Sequence, residues 1–120
     1  MYRSRVKSGK GRGKEMNFPT LNLEIPEQFV YEEGIYAGWV YLDGEKHPAA
    51  FHYGPIPAFN DFAVSLEVFV IDKVISVQPT VVDFEMQKRI RDILNFDTKD
   101  LLAHQMALDV KQTKIILGVQ

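Results

Sequence analysis

Residues 34–53 read GIYAGWVYLDGEKHPAAFHY. Ile35–Leu42 and His47–Tyr53 are short runs rich in aromatic and β-branched side chains, the composition that fits a pleated surface. Asp43-Gly44 lies between them. That dipeptide accepts the positive φ angles of a tight hairpin turn, so the stretch reads as two antiparallel strands. Two further strand-like runs follow, Ala63–Ile71 and Thr80–Met86, and turn formers punctuate the chain throughout: Phe18-Pro19, Ile25-Pro26, Glu33-Gly34, Gly54-Pro55-Ile56-Pro57, Asn60-Asp61 and Gln78-Pro79. Short strands this closely spaced predict an antiparallel sandwich or barrel.

The 120 residues fit one domain, 1–120, without a linker or internal repeat. The absence of cysteine excludes disulfides, thiolate metal sites and a cysteine nucleophile. No apolar run approaches the roughly 20 residues of a membrane span, and no signal-peptide pattern opens the chain. The expectation is a small cytoplasmic protein without a membrane partner. The net charge of −2 hides an asymmetry. Arg3, Arg5, Lys7, Lys10, Arg12 and Lys14 fall within residues 1–14, which hold no acid; the remaining chain has eight bases against sixteen acids, a net −8. Residues 1–14 therefore read as a basic, glycine-rich arm, suited to anions or simply solvated.

In Ala63–Ile71 side chains alternate between two faces. Val64, Leu66, Val68 and Val70 make one apolar face, which leaves Glu67 on a mixed face with Ser65 and Phe69. Such a carboxylate is either solvated or held in a partly dry cleft, where it could take a proton. Further on the period changes. Asp97 reads as an N-cap, with Phe96 and Leu101 as a hydrophobic staple, for a helix over 97–114 that turns Leu101, Leu102, Met106, Leu108 and Val110 toward the core. The segment before it, Gln87–Leu94, reads as helix or loop.

Two motifs carry chemistry. In Gly9-Lys10-Gly11-Arg12-Gly13, glycines allow backbone N–H groups to wrap phosphate oxygens and the cations add charge. In Phe18-Pro19-Thr20-Leu21-Asn22, Thr20 and Asn22 share a face of an extended segment and offer hard oxygen ligands of the kind magnesium takes. His47, His52 and His104 are too scattered to propose a zinc site.

Taken in order, the glycine-basic loop, Phe18-Pro19-Thr20-Leu21-Asn22, Gly34–Trp39, Ser65-Leu66-Glu67-Val68-Phe69, Arg91-Asp92, Asn95-Phe96-Asp97, Leu101-Leu102 and Gln105 resemble the riboflavin kinase (flavokinase) family over nearly the whole chain. The resemblance implies a six-stranded antiparallel Greek-key barrel, closed, with a C-terminal helix. It implies transfer of the terminal phosphate of ATP, with Mg2+, to the ribityl 5′-hydroxyl of riboflavin, giving FMN and ADP. By the same resemblance Glu67 matches the catalytic glutamate. Gly9, Lys10, Gly11, Arg12 and Gly13 match the phosphate-covering flap. Thr20 and Asn22 match the magnesium and nucleotide-phosphate residues, and Arg91 the arginine near the flavin phosphate. Larger relatives carry an FAD-forming adenylyltransferase domain, for which 120 residues leave no room; a monofunctional, monomeric kinase without a specific nucleic-acid partner is the expectation.

The chain departs from the family pattern at several positions. Ile56 and Ala58 stand where relatives carry arginine and threonine, and His52 stands where they carry asparagine. Phe69 replaces a histidine, Gln78-Pro79 a Tyr-Gly turn and Ile93 a glutamate. These changes cluster on the flavin side of the motif set. A non-catalytic barrel that binds a flavin or nucleotide, or a small nucleic-acid-binding barrel, are the alternatives. Trp39, Tyr36 and Phe69 are aromatic candidates for either a ring ligand or the core.

Overall fold

A computed structural model describes residues 1–8, 18–57 and 60–120. Among them six strands close into an antiparallel barrel: β1 (Tyr2–Lys7), β2 (Leu21–Leu23), β3 (Gly34–Leu42), β4 (Glu45–Ile56), β5 (Asp61–Val70) and β6 (Val81–Arg91), followed by the helix α1 (Lys99–Leu117). Around the barrel the order is β1-β2-β5-β4-β3-β6. Strands β3, β4 and β5 form a meander, and β2 lies beside β5, which is the Greek-key arrangement. No helix among the described residues is long and apolar enough to cross a membrane.

The Asp43-Gly44 turn forms as read, with both residues at positive φ (50° and 79°) and Leu42 opposite Glu45. One strand and one strand extension lie where none was expected. Tyr2–Lys7, read as part of a basic arm, is β1, paired with β6 and β2. Its basic residues alternate with Tyr2, Ser4 and Val6. Ser4 is buried and Tyr2 and Val6 pack on the core, while Arg3, Arg5 and Lys7 are exposed. Gln87–Arg91, read as helix or loop, continues β6. Its alternation is hidden by two irregularities against β3: Gly38 faces Met86, Ala37 faces Lys88, Tyr36 faces Arg89, and Ile35 faces Arg91. The extra residues are β-bulges, which break period-2 reading.

Leu23, Val40, Phe51, Leu66, Val68, Val82 and Phe84 fill the barrel. Gly38 lies among them. A Cβ there would sit 2.1 Å from the Glu85 carbonyl oxygen and 2.9 Å from the Phe51 ring. Gly38→Ala should therefore cost about 1–3 kcal/mol of unfolding free energy in urea, the range for overpacking a full core; an unchanged midpoint would show that β3 and β6 can separate freely.

One barrel end is closed by aromatic side chains from residues 24–33. Phe29 packs edge-on against Tyr2 (5.1 Å) and Tyr53 (4.9 Å), and Tyr31 against Tyr36 (5.4 Å). Tyr36 is thus a core residue. Trp39 lies on the outer wall under Lys46, 4.3 Å from the ring, and donates to Gln87 Oε1.

α1 packs on the outer face of β3, β4 and β6, which is why Ile35 and Ala37 are buried although they point away from the barrel interior. The N-cap is Thr98, whose Oγ1 accepts from the Leu101 N–H at 3.1 Å, not Asp97. That shift of one residue takes Leu101 out of the staple position, and it is half exposed. Leu108 is also largely exposed; the inward face instead carries Leu102, Met106, Asp109, Val110 and Thr113, with Asp109 and Thr113 buried. Gly118 in the left-handed region ends the helix, donating to the Ile115 carbonyl.

Candidate active site

The strand register sets a single transverse row of side chains across five strands. Asn22 of β2 is opposite Glu67 of β5, Glu67 opposite His52 of β4, His52 opposite Ile35 of β3, and Ile35 opposite Arg91 of β6. Neighbours in such a row have Cβ atoms about 4.5–5.5 Å apart. Asn22, Glu67 and Arg91 are therefore aligned in one row, Asn22 beside Glu67 and Arg91 three strands further on, although 69 residues separate the first from the last.

α1 roofs this row and leaves a cavity. Its floor is Ile35, Ala50, His52, Glu67 and Phe69; its roof is Leu102, Met106, Asp109 and Val110. Phe18 and Thr20 stand at one side, and Ile56, Pro57, Ile93, Leu94 and Phe96 complete a mostly apolar wall. Phe18 and Phe69 meet edge-to-face at 5.3 Å. Phe69 is thus a cavity residue, unlike Trp39 and Tyr36.

The polar groups of the cavity are bonded to one another. Thr20 Oγ1 donates to Glu67 Oε1 at 2.9 Å, and Ser65 Oγ is 3.3 Å from Glu67 Oε2. Both donors come from segments fixed by the barrel, so the carboxylate is oriented before any ligand arrives. Thr20 and Asn22 do share the Glu67 side of β2, since Leu21 and Leu23 point into the core. Asn22 does not line the cavity itself. Hydroxyl, amide and carboxylate oxygens are the donor chemistry of a hard cation, although no three His, Asp or Glu side chains among the described residues form a metal cluster. The Gly9–Gly13 loop lies outside the described residues.

Arg91 reaches across to the helix. Its Nε and Nη2 donate to Asp109 Oδ1 (3.0 Å) and Oδ2 (2.8 Å), a bidentate pair with both side chains largely buried. Gln105 donates to the same Oδ1 at 3.1 Å, Arg91 Nη1 donates to the Asp92 carbonyl, and the Phe96 ring lies 5.7 Å from the guanidinium carbon. In this state Arg91 fastens α1 over the cavity.

His52, Ser65 and Asp109 were not singled out from the sequence as site residues. His52 Nε2 contacts two carbonyl oxygens, Gly54 at 3.1 Å and Pro55 at 2.9 Å. Both are acceptors, so Nε2 carries the proton. Burial pushes the imidazole below its ordinary value of 6.5, against the opposing pull of the Glu67 carboxylate and the two carbonyls. The unfolded chain takes up a proton at His52 near pH ~6.5, while the folded chain resists until lower pH. Stability should therefore fall as pH drops below ~6.5, with a slope of at most ~1.4 kcal/mol per unit from this group, ending once the folded imidazole also protonates. Urea unfolding of wild type and His52→Asn from about pH 7.5 to 5 checks this: the two should diverge on the acid side, and parallel curves would contradict it.

A family model for riboflavin kinase (Flavokinase) matches residues 1–117. Among curated relatives, the bifunctional riboflavin kinase/FMN adenylyltransferase of Haemophilus influenzae is 31% identical over 111 residues, 92% of this chain and 36% of that protein. The enzyme of the same description from Escherichia coli K12 is 28% identical over 116 residues, 96% of this chain and 37% of that protein. The chain thus spans about a third of the length of the curated relatives it matches. A crystal structure of a macrolide-efflux protein from Streptococcus pneumoniae superposes with a TM-score of 0.81 at 27% identity, covering 93% of this chain and 37% of that one. With the family match running almost end to end over a closed six-stranded barrel and its helix, the chain belongs to the riboflavin kinase (flavokinase) family.

Proposed function

We propose that the chain is a riboflavin kinase, moving the γ-phosphoryl group of ATP onto the ribityl 5′-hydroxyl of riboflavin to give FMN and ADP. The observation that carries this reading is the placement of Glu67. A carboxylate oriented by Thr20 and Ser65 stands at the polar end of a mostly apolar, aromatic-edged cavity. A flat aromatic ring system with a polyol tail has the same distribution of polarity, and such cavities bind drug-sized ligands by apolar walls with a few placed polar groups.

Phosphoryl transfer asks a protein mainly for positioning and charge neutralisation. Glu67 accepts the hydroxyl proton as the oxygen–phosphorus bond forms, and the γ-phosphorus–oxygen bond to ADP breaks. Thr20 and Asn22, beside Glu67, are the residues that would hold Mg2+ together with nucleotide oxygens; the cation supplies charge stabilisation of the migrating phosphoryl group. Residues Gly9–Gly13 would cover the nucleotide phosphates. Arg91, paired with Asp109 across the cavity from Glu67, keeps the roof in place.

Incubation of the purified protein with riboflavin and Mg-ATP, followed by chromatography of the flavins, tests the reading. FMN and ADP should appear in equal amounts. Tight riboflavin binding with no FMN would reassign the chain to a non-catalytic flavin-binding barrel.

A further inference from the structure

The β4–β5 ladder is irregular beside the cavity. Gly54 faces Ser65, but two residues on Ile56 faces Asp61, so the strands slip where Pro55 lacks an N–H to donate. Gly54 itself has φ 141°, and a Cβ there would meet Ile93 Cγ1 at 3.0 Å. The slip turns the Gly54 and Pro55 carbonyls toward His52, whose Nε2–H is their shared donor.

Counting protons shows what this does for Glu67. The Ser65 hydroxyl has one proton and two acceptors at the same distance, the Gly54 carbonyl and Glu67 Oε2, each 3.3 Å away. The carboxylate is the stronger acceptor, but the Gly54 carbonyl at the same distance competes for the proton. Because His52 donates to Gly54, that competition is weakened and the Ser65 proton stays with Glu67. We propose that His52 is a positioning residue for Glu67, acting through the Gly54 carbonyl and the Ser65 hydroxyl. This rests on the reading of Glu67 as the proton acceptor of the kinase. It gives a residue of the cavity floor a second role, setting the orientation of the carboxylate beside it.

A double-mutant cycle tests it. His52→Leu removes the donor and should lower kcat for FMN formation about 5–10-fold, the worth of one hydrogen bond. KM for ATP, which does not lie on His52, should stay within about 2-fold. His52→Gln, whose amide nitrogen stands about where Nε2 does and can still donate to Gly54, should recover most of the loss. Ser65→Ala should lower kcat by a similar factor, and adding His52→Leu to Ser65→Ala should cost less than about 2-fold more. Multiplicative losses in the double variant, or a Gln variant as slow as the Leu variant, would overturn the proposal. If His52→Leu does not fold, His52→Ala takes its place in the cycle. A wild type that makes no FMN defeats the functional reading instead, and crystal structures of the same variants then decide. The Ser65 Oγ should move away from Glu67 Oε2 and toward the Gly54 carbonyl in His52→Leu, and keep its Glu67 distance in His52→Gln. An unchanged Ser65–Glu67 contact in the leucine variant would refute the relay.

Discussion

Exchanging Glu67 for glutamine should reduce FMN formation at saturating ATP by at least ~100-fold, the lower range for loss of a general base. Glutamine preserves the volume and one acceptor oxygen, but its second atom becomes a donor facing a hydroxyl. Thr20 and Ser65 both donate to the carboxylate in the wild type. One of them must rotate to accept instead, which a hydroxyl can do. The variant should therefore fold, and it should bind riboflavin and ADP, because the cavity walls come from other residues. Rapid-quench measurement of FMN in a single turnover separates chemistry from product release. Turnover near that of the wild type would remove Glu67 from the mechanism.

Asp109→Ala should be the most destabilising single change in the helix, costing about 3–5 kcal/mol in urea unfolding. The Asp109 and Arg91 side chains are only 6% and 15% exposed. Deleting the carboxylate leaves a largely buried guanidinium with the Asp92 carbonyl and the Phe96 ring as its remaining partners. Both Arg91 bonds that hold α1 to the barrel disappear together, and Gln105 loses its acceptor within the helix. The exposed pair Arg3–Asp83, whose arginine is 74% exposed, provides the contrast: Arg3→Ala should move the unfolding midpoint far less, since water screens that pair. Equal effects of the two variants would show that burial of the Arg91–Asp109 pair does not govern its worth.

What could be read from the sequence follows from which interactions are local. The β3–β4 hairpin was legible because Asp43-Gly44 fixes its turn and hence its register. The inward face of β5 was legible from period-2 alternation at Leu66, Val68 and Val70, although Val64, on the same parity, is 42% exposed. Strand β1 was obscured by its charge, since Arg3, Arg5 and Lys7 drew attention away from the alternation that Tyr2, Ser4 and Val6 make with them. In the candidate site, alternation and ligand chemistry singled out Glu67, Thr20 and Asn22, but only the family resemblance joined them to one another and to Arg91. Their convergence depends on bulges that no local pattern encodes. A hairpin counted back from the Ile56–Asp61 pair would set His52 opposite Ser65; the slip at Pro55 sets it opposite Glu67. In the same way two irregularities in β6 bring Arg91, rather than Arg89, opposite Ile35. Asp109 did leave a signal: it falls on the stripe of Leu102, Met106 and Thr113, where a carboxylate in an apolar helix face demands a buried partner.

Proton transfer to Glu67 requires riboflavin's 5′-hydroxyl within hydrogen-bond reach of the carboxylate. A crystal structure of the protein with riboflavin, ADP and magnesium measures that distance. The expected result is the ring system under α1 against Phe69 and Ile35, with the 5′-oxygen about 2.6–3.2 Å from a Glu67 oxygen, the reach of a general base. A flavin seated elsewhere on the barrel, or a 5′-oxygen separated from Glu67 by more than one water, would contradict it.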